Sequence, residues 1–298
     1  MKSYTIGRNL AGVLTKNAST ANLSFLDEIA NDDYRMICTM RDWPFLERLR
    51  TLTTVASAQF YNLPYDCEKV REVAVIVSSN RYTPKLCPDR KFWDNLNLSS
   101  FTSDTPEWYF IFNGQVGLWP TPASTGNTIN ITQKCRVIDL NVADYTTGTI
   151  VSVANGGVAV VGSGTSWTER MAGRYIRMTY SNTANTGDGV WYEISGVTDA
   201  THLTLVRTYG GTAIAAGSAT FNIGQMPLLP ESFHALPWYK AAAAYWAKED
   251  EDRAASFEMM HDKMLSELKN SWLSPTTDMI IDDGDDNAII NPNLVISL

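Results

Sequence analysis

The chain has 298 residues, 44% hydrophobic and 11% aromatic, a size and composition that predict a globular protein of one large or two small domains. It carries 32 acidic against 24 basic residues, a net charge of -8. A protein that grips nucleic-acid phosphates needs a basic face, so this balance argues against that class, and no apolar run approaches the roughly 18 residues of a membrane span.

Residues 1–20 are polar and rich in Thr and Asn, and predict an arm or loose lead-in. A first helix is expected near Ser24, capped by its hydroxyl with Asp27 three positions on. Its apolar side would be Leu23, Leu26, Ile29, Ala30, Tyr34, Ile37 and Met40, at steps of three and four, and Pro44 would stop it. Alternating stretches at 49–56 and 58–63 and a β-rich run at 72–77 follow. Residues 89–96 read as a short helix after Pro88. Asn113-Gly114, between the apolar runs 108–112 and 115–119, predicts a hairpin whose turn residues both take positive φ. Residues 128–137 are a further strand, with Ile129 and Ile131 alternating against polar neighbours.

A Gly/Ser/Thr-rich block with few charges spans residues 146–223. Six short strands are expected in it, at 149–153, 158–161, 175–180, 190–195, 203–206 and 219–223. Gly-rich turn clusters separate them, which suggests a small sandwich or barrel. The helical pattern then returns as one long helix over 238–272, about 50 Å at 1.5 Å per residue. Ala241 to Ala244 would allow close helix approach in its first half, and Phe257, Met260, Met264, Leu265, Leu268 and Trp272 would form an apolar stripe in its second. The charged run 248–253 between them reads as a solvated face by default, with a salt-bridged subunit contact as the sharper alternative. Residues 273–298 hold five Asp and no Lys or Arg, and read as an extended tail: an arm docking on a neighbouring chain, or a frayed end.

The fold class expected is therefore α+β. Residues 1–145 and 224–272 form a discontinuous scaffold, 146–223 an inserted all-β module whose two ends lie close together, and 273–298 the tail.

Little in the sequence points to chemistry. His202, His234 and His261 are scattered with no metal-ligand spacing, and a surface position is expected for His261. Cys38, Cys67, Cys87 and Cys135 form no Cys-x-x-Cys pair, and the first residues lack a signal peptide's apolar core, so reduced buried thiols in a cytosol-made protein are expected. Four Asn-x-Ser/Thr triplets, at Asn17, Asn22, Asn97 and Asn130, are then chance matches. Gly162-Ser163-Gly164-Thr165 lacks the Lys-Ser/Thr ending of a phosphate loop and reads as a β-turn. No carboxylate pair has a spacing that shows a cleft, Asp188 and Glu193 being explained as loop and strand surface acids. No catalytic residue, cofactor or metal is assigned.

Four segments occur in a telling order: Asp42-Trp43-Pro44-Phe45-Leu46, residues 59–66 (Gln-Phe-Tyr-Asn-Leu-Pro-Tyr-Asp), Leu118-Trp119-Pro120-Thr121-Pro122, and Leu228-Leu229-Pro230-Glu231 ahead of the Ala-rich helix. Together they resemble the head-to-tail connector (adaptor) proteins of bacteriophages. The block, with residues 158–167 followed by Gly173-Arg174-Tyr175-Ile176, is similar to small β modules of phage structural proteins. The resemblance implies a helical-bundle scaffold with β hairpins, and a non-enzymatic virion protein at the neck. It implies a closed homo-oligomeric ring, commonly of twelve copies, between the portal protein and tail or nozzle proteins. DNA would pass through its channel without specific binding, which suits an acidic surface. The block would contact tail or fibre components, and no membrane is involved. Candidate subunit or portal contacts are Tyr239, Trp246, Phe257, Met260, Met264, Leu268, Trp272, Ile289, Ile290, Leu294, Val295 and Ile296. Two other readings stand beside this one. One is a glycan- or receptor-binding module stacking on Trp167, Trp191 and Tyr192; the other is an enzyme that degrades a cell-wall polymer.

Overall fold

The computed structural model describes residues 2–98, 100–180, 187–215 and 219–272. Helix α1 (Tyr4–Leu14) starts where the Ser3 hydroxyl accepts the Ile6 amide, and α2 (Thr20–Thr39) where the Ser19 hydroxyl accepts the Asn22 amide. Each serine satisfies a donor that a helix start leaves unpaired. Two expectations are corrected. The lead-in is helical, because it has its own cap and buries Tyr4, Gly7 and Ala11, and α2 begins at Thr20, not near Ser24.

Strands β1 (Glu47–Thr53), β2 (Phe60–Asn62), β3 (Cys67–Val77), β4 (Asn80–Tyr82) and β5 (Lys85–Leu86) precede helix α3 (Arg90–Leu96), which Asp89 caps. After it come β6 (Trp108–Phe112), β7 (Gln115–Trp119) and β8 (Thr128–Cys135). Two four-stranded sheets result, ordered β1-β8-β3-β4 and β2-β7-β6-β5. Their shared core joins Val73, Val75, Ile129 and Ile131 of the first to Tyr61, Tyr109, Val116 and Leu118 of the second. The hairpin between β6 and β7 turns on Asn113 and Gly114 at φ 50° and 72°, as the Asn-Gly pair predicts.

The six strands of the Gly-rich block appear with their ends shifted by a few residues: β9 (Thr149–Val153), β10 (Ala159–Ser163), β11 (Tyr175–Met178), β12 (Trp191–Asp199), β13 (His202–Leu205) and β14 (Phe221–Gly224). They form one antiparallel sheet, ordered β14-β11-β12-β13-β10-β9, over a core of its own that includes Ile176, Met178, Ile194, Phe221 and Ile223. Ile150 and Val153 of β9 also pair with Ala219 and Ile214, just ahead of β14, so the sheet curls back on itself.

Two helices end the described chain, α4 (Leu236–Trp246) and α5 (Glu251–Trp272), in place of the single one expected. The Asp250 carboxylate accepts the Arg253 amide at 3.1 Å and starts a new helix. Lys240 meets Glu258 at 2.7 Å, and the Arg253 guanidinium lies 4.7 Å from the centre of the Trp246 ring, so α5 runs back along α4. The charged run is largely solvent-exposed, as expected, but it forms the corner between two helices. Ala241, Ala242 and Ala243 are buried, and α4 packs against α1, α2 and α5. Leu26, Ile37, Leu236, Trp238 and Leu268 fill the core between these helices.

His261 is another correction, being buried where a surface position was expected. Its Nε2 lies 3.2 Å from Asp33 of α2 and its Nδ1 3.1 Å from Asp262. Burial opposes its charge, but the Asp33 hydrogen bond and charge prevail, and its pKa is raised. His234 is also buried, and burial lowers its pKa. Its Nε2 donates to the Leu229 carbonyl at 2.8 Å, and its Nδ1 accepts the Lys2 amide at 3.1 Å.

Two predictions follow from this packing. A Cβ at Gly7 would lie 2.0 Å from Trp238 Nε1, so Gly7→Ala must push α1 off α4. A loss of about 1–3 kcal/mol is expected in denaturant unfolding. The raised pKa of His261 makes the Asp33 pair stabilising below the ordinary value of 6.5, and that stabilisation is lost as pH rises through the higher folded value. The stability advantage of the native chain over Asp33→Asn, followed by urea unfolding across pH, should thus be largest in mild acid and shrink toward alkaline pH.

Candidate functional site

A cleft of about 510 Å³ opens where the helices, the first sheet and the six-stranded sheet meet. β1 places Arg48 and Arg50 two residues apart, hence on one face of the strand. Arg136 follows β8, and Arg170 and Arg174 come from the loop ahead of β11. Tyr65, Tyr175, Ile138 and Met226 provide apolar wall, and Asp66 and Glu169 are the acids that line it.

Two of the five arginines are committed. Arg48 bonds Glu193 of β12 at 2.5 Å, and Glu193 also accepts the Tyr175 hydroxyl at 3.3 Å. Burial works against the Arg48 charge, yet Glu193 and Tyr175 outweigh it and raise its pKa. Arg50 bonds Asp66 at 2.5 Å, and the other oxygen of Asp66 accepts from buried Gln133 of β8 at 2.9 Å. The Arg48–Glu193 bond fastens the first sheet to the six-stranded one, and the Arg50–Asp66–Gln133 set ties β1, β8 and the loop ahead of β3 together within the first sheet. Burial raises the thiol of Cys135, at the cleft wall, to about 11, which leaves it protonated and unreactive.

Arg136, Arg170 and Arg174 have no acidic partner among the described residues. Arg174 is half-buried, and burial lowers its pKa with no compensating contact. Such a guanidinium costs free energy until an anion meets it. The cleft can therefore bind an anionic group flanked by apolar atoms.

A second surface lies on α2. Phe25, Ile29, Met36 and Met40 fall within about 60° of one another at 100° per residue, a single stripe. Phe25, Met36 and Met40 are exposed, and Ile29 is half-buried. Met259 and Met260 are exposed on α5.

The family of SU10 adaptor proteins matches residues 7–280. The chain belongs to that family. Its members are structural adaptor proteins of bacteriophage virions, near the head–tail junction, and not enzymes. The matched span includes the whole six-stranded sheet. No curated protein matches the chain. Among the described residues no cluster of His, Cys, Asp or Glu could hold a metal, and no helix is long and apolar enough to cross a membrane.

In this family member the expected contact residues that lie among the described ones range from buried to exposed. Leu268 is fully buried in its own helical core, and Met264 packs against that core half-buried. Trp246 is buried, with its indole N–H on the Leu14 carbonyl at 3.2 Å. Tyr239 and Phe257 are half-buried, and Met260 is exposed. Trp272 is partly exposed and meets Phe45 edge-on at 5.6 Å. Ile289, Ile290, Leu294, Val295 and Ile296 lie outside the described residues. The three aromatics of the glycan reading also separate: Trp167 and Tyr192 are core residues, and only Trp191 is partly exposed, under Arg177 at 4.9 Å.

Sequence reasoning missed the arginine cleft and the Phe25–Met36–Met40 stripe. An Arg-x-Arg pair in a strand was the one local sign of the cleft, since the other arginines arrive from distant loops.

Arg48→Met should keep the aliphatic stem and strand Glu193 without its cation. Denaturant unfolding is expected to show a loss of about 2 kcal/mol. Adding Glu193→Gln should recover most of it, because the orphaned charge is then gone.

Proposed function

We propose that this chain is the adaptor ring of a bacteriophage neck. Copies stand side by side under the portal, commonly twelve of them, extend the DNA channel and present a platform to tail or nozzle proteins. Membership of the adaptor family across residues 7–280 carries this reading. The helical part, on this reading the bundle scaffold, makes the ring. The exposed stripe of Phe25, Met36 and Met40 on α2, with Met259 and Met260 on α5, offers the apolar area that a neighbouring copy would cover. The six-stranded sheet acts as an inserted module that contacts tail or fibre components. The chain enters and leaves it side by side, with Tyr145 and Ile223 exchanging backbone hydrogen bonds of 2.8 Å in both directions. The net charge of -8 suits a conduit that DNA passes without sticking.

The test is assembly on purified portal rings, followed by native mass spectrometry and electron microscopy. A ring of copies stacked on one face of the portal is the expected result, and Phe25→Glu with Met36→Glu should give a folded chain that no longer closes the ring. A chain that stays monomeric and leaves portal rings bare would overturn the reading.

A further inference from the structure

Five arginines line the cleft; with Arg48 paired to Glu193 and Arg50 to Asp66, and Glu169 as the remaining acid, it keeps an excess of two positive charges in a chain whose total is -8. Three of those arginines have no acidic partner among the described residues, and one of the three, Arg174, is half-buried. The walls between them are apolar, with Tyr65, Ile138 and Met226. The fitting occupant is an extended segment that combines acids with aliphatic side chains.

The chain itself contains one. Residues 278–286 read Asp-Met-Ile-Ile-Asp-Asp-Gly-Asp-Asp, five acids and three large apolar residues with no cation. The position from which this segment departs is also given. Trp272 ends α5 against Phe45, and Phe45 is three residues ahead of Arg48 in the cleft wall. Three residues span at most about 10 Å, and the six from Trp272 to Asp278 reach about 20 Å. The acidic run can therefore enter the cleft of its own chain. We propose that residues 278–286 dock in the cleft, their carboxylates on Arg136, Arg170 and Arg174 and their Met-Ile-Ile run on the apolar wall.

Bidentate carboxylate–guanidinium bonds favour arginine over lysine for this task, and all five cleft cations are arginine. Docking would also set a carboxylate beside the half-buried Arg174 guanidinium. The inference concerns a single chain and does not depend on ring formation.

Hydrogen exchange read by mass spectrometry on the full-length protein tests it, with a synthetic peptide of residues 273–298 as the free reference. At low ionic strength the 278–286 peptide should exchange at least about tenfold more slowly in the protein than free. The protection should not depend on protein concentration, and should vanish near about 1 M salt, where the screening length is about 3 Å. Arg170→Glu with Arg174→Glu should abolish it. So should Asn at Asp282, Asp283, Asp285 and Asp286, a variant that alters no residue of the described fold. Exchange at the free rate in the native chain overturns the proposal. Protection that survives either variant overturns the cleft as the site, and protection that grows with concentration overturns docking within one chain in favour of a neighbouring copy.

Discussion

Two crossings of the chain lie side by side, and the rest of the molecule is arranged around them. Residues 139–145 lead out to the six-stranded sheet and residues 223–226 lead back. Tyr145 and Ile223 exchange backbone hydrogen bonds. The Gln225 carboxamide accepts the amides of Asn141 and Val142 and donates to the Asp139 carbonyl. The start of α1 closes the set: the Ser3 hydroxyl donates to Asp144, the Asp144 amide donates to Thr5, and the Tyr4 amide donates to the Gln225 carbonyl. These bonds are directional and mostly part-buried, so they hold a single geometry where apolar contact alone would tolerate sliding. The helical core and the six-stranded sheet are therefore linked through backbone as well as through side chains.

The cleft is a consequence of that linkage. A curled sheet, a twisted four-stranded sheet and a helix pair cannot fill the space where they meet, because each already has a core of its own. Arginine suits such a place, since its stem covers apolar surface while its head stays near water or an anion. Arg48 turns part of the gap into a fastening through Glu193, while Arg50 is held by Asp66 beside its own sheet. The remaining arginines make the gap a receptor.

Much of the fold could be read locally. Hydrophobic alternation marked the strands, Asn113-Gly114 marked the tight hairpin, and Gly-rich clusters separated the six strands of the block, because each signal acts over a few residues. Where reading failed, a local signal was outweighed by another local one or by tertiary context. Ser3 and Ser19 cap helices, whereas the Thr/Asn content around them suggested a loop. Asp250 starts a helix inside a run that looked like continuous charged surface. The buried Asp33–His261 pair joins residues on two helices far apart in sequence, and no spacing in the sequence announces it. The cleft failed for the same reason, as its arginines come from β1, the end of β8 and the loop before β11. The α2 stripe failed differently. Its apolar residues were visible, but Phe25 and Met36 lie off the face that enters the core, and periodicity alone assigns one face per helix.

Charge imposes a last constraint on any ring. Copies that each carry -8 repel one another, and at physiological ionic strength that repulsion extends over a Debye length of about 8 Å. Surfaces meant to touch must therefore be locally uncharged or locally complementary. The Phe25–Met36–Met40 stripe meets the first condition, and the arginine cleft meets the second for an acidic segment.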